Sequence, residues 1–254
     1  MIVKRNMIYS PKKSNRMLHI YLPDDYYESE ERYPVMYFFD GHNLFTDEDA
    51  TYGKSWGMKK FLDHYDKKFI IVGMECGHEG YERLGEYSPY CCFRKEEKPM
   101  GDDTMRWIVE EIKPMIDKEY RTWSHREATG IGGSSMGGIM ALYALVHYNR
   151  WFSKGACVSS AIGYCMDHLM KDMKESEIHP DTRAFLSWGT REAWGIKDPD
   201  KMDDNSNTYH NHKKVEEMFL KKQAMPYLYC QIGGNHCEAD WEKQVAIFMD
   251  YLWK

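Results

Sequence analysis

The sequence predicts an α/β fold with a mainly parallel central sheet and helices on both faces. Three observations predict it. Residues 35–39 and 69–74 are short, continuous apolar runs suited to strands buried on both faces. Stretches with helical apolar spacing alternate with such runs along the chain. Gly133-Ser134-Ser135-Met136-Gly137 matches G-x-S-x-G between an apolar run and a helical pattern, a strand–turn–helix context. The chain has 254 residues, 43% of them hydrophobic, which is ample core for one large α/β domain. Composition does not shift and no repeat or low-complexity linker breaks the chain, so residues 1–254 are expected to form a single domain.

In chain order, residues 17–21 read as a strand ending at Leu22-Pro23-Asp24-Asp25, a turn signal. The buried strand at 35–39 follows Tyr33-Pro34 and runs out into Asp40-Gly41-His42-Asn43-Leu44-Phe45. A helix is expected over 56–65, with Trp56, Phe61 and Leu62 inward, before the strand at 69–74. Residues 75–103 are the longest irregular stretch, rich in Gly, Tyr and charge. Asp103 is the expected cap of a helix whose apolar face carries Trp107, Ile108, Ile112, Met115 and Ile116, and Pro114 should kink it. The strand and helix around Ser135 come next, with Ile139, Leu142, Tyr143 and Val146 at helical spacing. Strands at 155–159, 184–188 and 227–232 then alternate with a helix over 208–222 (Val215, Met218 and Phe219 inward). A final helix carries Trp241, Val245, Phe248, Met249 and Leu252.

Bulk properties exclude several function classes. A formal charge of −6 with no Lys/Arg block argues against nucleic-acid binding. No apolar run approaches a membrane span, and no apolar segment follows Lys4 and Arg5, so neither membrane insertion nor a secretion signal is expected. Seven cysteines without a C-x-x-C pair read as reduced thiols in a cytoplasmic protein. His210 and His212 are spaced like metal ligands but lack a third partner and read as solvated; no metal or organic cofactor is expected. Oligomerisation is left open.

The chemistry gathers at strand exits, where ligands collect in open α/β sheets. A turn as tight as G-x-S-x-G strains the serine backbone and tolerates no bulk two positions away, hence Gly133 and Gly137 around Ser135. Gly138 lets the helix approach the neighbouring strand, and the helix N-terminus aims N–H groups where an oxyanion would form. Serine alone is a poor nucleophile; it needs a base within hydrogen-bond reach and an acceptor that fixes the tautomer of that base. His236, after Gly233-Gly234-Asn235, is the candidate base. Glu192, after Gly189-Thr190-Arg191, is the candidate acid, with Asp198, Asp200, Asp203 and Asp204 as competitors nearby. The order Ser, acid, His is that of the α/β-hydrolases.

The motifs carry a resemblance across nearly the whole chain. Leu22-Pro23-Asp24-Asp25-Tyr26, Tyr33-Pro34-Val35 leading to Asp40-Gly41, Glu86-Tyr87-Ser88-Pro89, Tyr120-Arg121-Thr122, Ser135-Met136-Gly137-Gly138, and Gly234-Asn235-His236 with Trp241 are similar to one family of esterases. That family includes feruloyl and acetylxylan esterases, the esterase D group, enterochelin esterases and mycolyltransferases. The resemblance implies an α/β-hydrolase fold with Ser135 as nucleophile, His236 as base and an acid near Glu192, where many members carry Asp. It also implies an oxyanion hole from the backbone N–H groups of Met136 and His42. The implied activity is hydrolysis of a small or carbohydrate-linked ester (acetyl, feruloyl or similar) through an acyl-enzyme. An acyltransferase using the same triad and a binding module on the same fold are the alternatives. Trp56, Tyr87, Tyr90, Trp188 and Trp194 either bind an aromatic acyl group or sugar ring or line a core edge.

Overall fold

The computed structural model describes residues 1–90, 98–192 and 198–254. The chain divides into two compact units, Met1–Ile131 and Gly132–Lys254.

The first unit opens with a hairpin that the sequence reading missed. Strand β1 (Ile2–Tyr9) pairs antiparallel with β2 (Ser14–Tyr21), in a register from Ile2↔Tyr21 to Tyr9↔Ser14. Along β1 half-buried and exposed residues alternate, with Lys4, Asn6 and Ile8 outward, so it lacks the continuous apolar signature of a central strand. Strand β3 (Val35–Phe39) and strand β4 (Ile70–Met74) are buried at every position and pair parallel, Val35↔Ile70 to Phe39↔Met74. β2 runs antiparallel to β4, and the order in this unit is β1-β2-β4-β3.

The helix expected over 56–65 is one short turn, α1 (Met58–Leu62), with Trp56 outside it. Its N-cap, Gly57, sits at φ +58, a left-handed position from which a helix cannot continue backwards. Met58 and Leu62 face inward, while Phe61 is half-buried against Tyr65. The 75–103 stretch holds helix α2 (Glu82–Glu86) and the first residues of α3 (Gly101–Trp107). Asp103 does not cap α3: Met100 occupies the N-cap, and Asp102 and Asp103 lie in the first turn, where carboxylates still suit the helix dipole. The kink expected at Pro114 takes the form of a π-helical turn over Ile108–Ile112, followed by α4 (Lys113–Glu119) with Pro114 in its first turn. Proline lacks an N–H, and the wider turn shifts the hydrogen bonding just before it; Lys113 N–H donates to Ile108 O.

Strand β5 (Thr129–Ser134) begins in the first unit and ends in the second. The second unit has the strand order β5-β6-β7-β8, with β6 (Lys154–Val158), β7 (Arg183–Gly189) and β8 (Met225–Gln231). β6–β7 and β7–β8 are parallel. Pairing over the whole chain is thus mixed and mostly parallel, with helices between the strands. Helix α5 (Met136–His147) is buried from Met136 to Val146, an all-round burial beyond the expected stripe. Helix α6 (Met166–Glu175), anchored by Leu169 and Met173, had not been expected. Helix α7 (Asn207–Lys221) starts at Ser206, whose side chain accepts from Tyr209 N–H; Val215 and Phe219 are buried and Met218 half-buried. The single final helix is two, α8 (Glu238–Glu242) and α9 (Val245–Trp253). Gln244 at the break donates to the buried Gln231 Oε1 at 2.7 Å. Among the described residues no helix is long and apolar enough to cross a membrane.

Candidate active site

Ser135 stands between β5 and α5 at φ 58, ψ −118, a conformation that costs a side-chain-bearing residue about 1–3 kcal/mol. Backbone hydrogen bonds hold it there. Its N–H donates to Val158 O at 3.0 Å, and its carbonyl accepts from Ile139 N–H and Ala161 N–H, both at 3.2 Å. Glycine is a steric requirement on both sides of it. A Cβ on Gly133 would lie 2.8 Å from the Gly137 carbonyl, and one on Gly138 would lie 2.5 Å from Ser160 Oγ and 2.9 Å from Val158 O. The first contact explains the G-x-S-x-G spacing, and the second lets α5 begin against the end of β6.

The candidate acid and base meet at neighbouring strand ends. After β7, Glu192 Oε2 is hydrogen-bonded to His236 Nδ1, and Oε1 accepts from Gly189 N–H and from Ser159 Oγ, the latter at 2.7 Å. Ser159 Oγ in turn accepts from Trp241 Nε1 at 2.9 Å, and the Trp241 ring meets the His236 ring edge-on at 5.0 Å. The Glu192 side chain is 10% exposed and His236 42% exposed, so the carboxylate is sheltered and the imidazole open on one side. With Nδ1–H given to the carboxylate, Nε2 carries the lone pair of a base. No hydrogen bond joins Ser135 Oγ to the His236 ring among the described residues. Catalytic hydrogen bonds often tighten only when substrate binds.

The loops carrying Glu192 and His236 are sewn together by backbone. Arg191 N–H donates to Gly234 O at 3.0 Å, Thr190 N–H to Gln231 O at 3.0 Å, and Gly233 N–H to Thr190 Oγ1 at 2.8 Å. A Cβ on Gly189 would lie 2.2 Å from Gly234 O. Asp240 then pins the His236 loop from below, accepting from Asn235 N–H at 2.8 Å, Asn235 Nδ2 at 2.9 Å and Gln231 Nε2 at 3.2 Å. Burial alone would raise the Asp240 pKa. Its bonds to Lys243 and Asn235 outweigh that and bring it down to about 2. Ser159 and Asp240 were missed in the sequence; Ser159 lies directly after the β6 run and Asp240 beside Trp241, but nothing local marks them as braces.

In the first unit, His42 lies in a helical turn, Gly41–Asn43, directly after β3. Asp40 precedes it in a left-handed conformation, φ 57, ψ 48. Arg83 grips Asp40 with both arms, Nε to Oδ1 and Nη2 to Oδ2, each at 2.7 Å. Burial pushes the Asp40 pKa up, but the Arg83 charge and hydrogen bonds prevail and hold it below the usual range. Gly41 is obligatory, since a Cβ there would lie 2.3 Å from the Gly73 carbonyl carbon. Burial lowers the His42 pKa, favouring the neutral ring.

Of the predicted aromatic residues, Trp56, Tyr87 and Trp188 are enclosed and Tyr90 is half-buried. Trp56 (3% exposed) meets Phe38 edge-on, and Trp188 (4%) packs on His212 at 4.6 Å. Tyr87 (2%) accepts from Asp40 N–H at its hydroxyl and meets Phe39 edge-on. Trp194 lies outside the described residues. His212 is not solvated as expected. It is 2% exposed, its Nδ1 bonded to Thr208 O at 2.8 Å, and it faces Trp188 as a core residue.

Comparison with known proteins shows the family. The chain is 24% identical over 188 residues to the uncharacterised protein YbbA of Bacillus subtilis, covering 72% of this chain and 71% of YbbA. It is 32% identical over 141 residues to the esterase Rv1288 of Mycobacterium tuberculosis, which is 55% of this chain and 28% of that protein; the chain therefore matches under a third of the longer relative. An IroE-like serine hydrolase from Shewanella oneidensis superposes with a TM-score of 0.75 at 17% identity, over 99% of this chain and 79% of the other, which shows the α/β-hydrolase fold. The family model described as Putative esterase matches residues 11–249, and the chain belongs to that family of α/β-hydrolase esterases.

Proposed function

We propose that this protein is a serine carboxylic-ester hydrolase with Ser135 as nucleophile, His236 as general base and Glu192 as the acid that orients it. The observation that carries this reading is the Glu192–His236 pair, braced by Ser159 and Trp241, in the unit that also holds Ser135 in its strained turn. In the first half-reaction Ser135 Oγ attacks the acyl carbon while its proton passes to His236 Nε2. The carbonyl electrons collect on oxygen, stabilised by the Met136 N–H at the start of α5. Collapse expels the alcohol, which takes the proton from Nε2. Water then repeats the sequence on the acyl-enzyme and releases the carboxylic acid. Loss of this network would leave an unactivated serine hydroxyl.

The proposed substrate is a small or carbohydrate-linked ester, acetyl, feruloyl or similar. We take the 11–249 family match across both compact units to mean one esterase domain. Among the described residues Cys76, Cys157, Cys165, Cys230 and Cys237 form no disulfide, which fits a reducing, cytoplasmic setting. A panel of p-nitrophenyl, feruloyl and acetyl-sugar esters tests the reading. Turnover of at least one class is expected, and its absence across all of them, with acyl transfer to an added alcohol instead, would replace hydrolase by transferase.

A further inference from the structure

His42, Glu75 and His78 place one ligand atom each within 4.8 Å of one another. They come from two strand ends of the first unit: His42 from the turn after β3, Glu75 and His78 from the segment after β4. Outer partners already hold two of the donors. His42 Nε2 pairs with Thr51 Oγ1 at 2.9 Å, and its other nitrogen, Nδ1, is buried and has no hydrogen-bond partner, in a residue only 7% exposed. Glu75 Oε1 pairs with Nε2 of the buried His19 at 2.7 Å, while Oε2 faces His78 Nε2 at 3.3 Å. The His78 ring stands edge-on to that of His42 with centroids 4.8 Å apart.

An imidazole bonded to oxygen through one nitrogen and bare at the other is how metal-ligating histidines are held. A bare nitrogen in an enclosed pocket is otherwise a cost, since buried polar atoms normally find partners. Two imidazoles and one carboxylate form an N, N, O set that suits borderline transition ions and not Mg²⁺ or Ca²⁺, which take oxygen ligands. We propose that His42, Glu75 and His78 bind a divalent transition-metal ion of the zinc class, with Thr51 and His19 as outer partners and water completing the shell. Metal–nitrogen bonds of ~2.0–2.1 Å in a tetrahedral site bring donors to about 3.3 Å of one another, so the donors draw together on binding. His78 is the side chain that moves: it is 55% exposed and free to turn inward, whereas His42 and His19 are fixed by burial. The inference concerns binding alone and does not depend on the ester chemistry.

The probe is ZnCl₂ titrated calorimetrically into protein stripped with EDTA and freed of chelator, with Co²⁺ absorption spectra as a second readout. Wild type should bind one ion per chain saturably, and Co²⁺ should give the visible bands of a low-coordinate nitrogen–oxygen site. His78→Ala, a change at an exposed position, and Glu75→Gln should each weaken binding at least about tenfold. His210→Ala, outside the cluster, should leave it unchanged. Absence of saturable binding in wild type, or wild-type affinity in both His78→Ala and Glu75→Gln, would overturn the assignment.

Discussion

Two strand ends of this molecule carry a non-glycine residue at nearly the same positive φ, Ser135 at 58 and Asp40 at 57, and they are held there by different means. At Ser135 the backbone does it: Val158, Ile139 and Ala161 supply the hydrogen bonds, and Gly133 and Gly138 clear the space. At Asp40 distant side chains do it: Arg83, 43 residues further along the chain, grips the carboxylate, and the Tyr87 hydroxyl accepts from Asp40 N–H. Aspartate visits the left-handed region at modest cost, whereas Ser135 at ψ −118 lies outside it and is strained outright. Strain held by neighbouring glycines is written into a five-residue motif. Strain held by a distant ion pair is not.

The comparison is tested first where the effect should be largest. If the strained turn at Ser135 serves a nucleophile, Ser135→Ala should lower kcat by about 10⁴ to 10⁶ while the melting temperature stays near that of wild type. Initial rates and a thermal melt on one preparation decide it, and a folded variant with substantial turnover would leave the strain unexplained. Glu192→Gln should cost about 10⁴ in kcat, because an amide no longer fixes the His236 tautomer. Asp198→Asn, Asp203→Asn and Asp204→Asn should stay within a few-fold of wild type. The Asp198 carboxylate accepts from Asp200 N–H and pairs with Lys201 at 3.1 Å, and the Asp203 carboxylate accepts from Asn205 N–H.

At the other strand end, Arg83→Ala leaves the Asp40 carboxylate, 8% exposed, without its partner. Breaking a fully buried pair costs about 3–5 kcal/mol; Arg83 is itself 32% exposed, so about 2 kcal/mol is expected in urea unfolding. Asp40→Asn in the same background should recover part of that loss. An unchanged urea midpoint in Arg83→Ala would mean that Gly41 packing alone holds the turn.

The smallest effect concerns Asp240. Its pKa is lowered to about 2 in the folded protein against ~3.9 in an unfolded chain, so its stabilisation is complete above about pH 4 and is lost as pH falls towards 2. Asp240→Asn should remove that part of the acid limb and reduce kcat a few-fold by loosening the Asn235–His236 loop. Acid titration by circular dichroism between pH 5 and 2 measures the difference; coincident curves would show that Asp240 contributes nothing through its charge.

The same contrast explains what could be read in the sequence. The buried parallel strands at Val35–Phe39 and Ile70–Met74, the elbow at Ser135 and the glycine-led His236 loop are local signals, and each was legible. β1 was not, because Lys4-Arg5-Asn6 interrupts its apolar residues on a half-buried strand. Helix α6 shows only Leu169 and Met173 to the core, too thin a stripe to stand out. Tyr87 and Trp188 were visible as aromatic residues near the right loops, but their burial depends on Phe39 and His212 arriving from elsewhere. The braces behind Glu192 and His236, Ser159 and the Trp241 indole, lie 82 residues apart, and no spacing rule connects them.

The central claim is that Ser135 is activated by His236. Intact-mass kinetics of labelling by a fluorophosphonate measure it most directly, since such reagents need an activated hydroxyl. One adduct per chain is expected in wild type, mapped to Ser135 by peptide analysis, with labelling of His236→Ala slowed by orders of magnitude. Equal labelling rates in the two proteins, or an adduct on Ser134 instead, would contradict it.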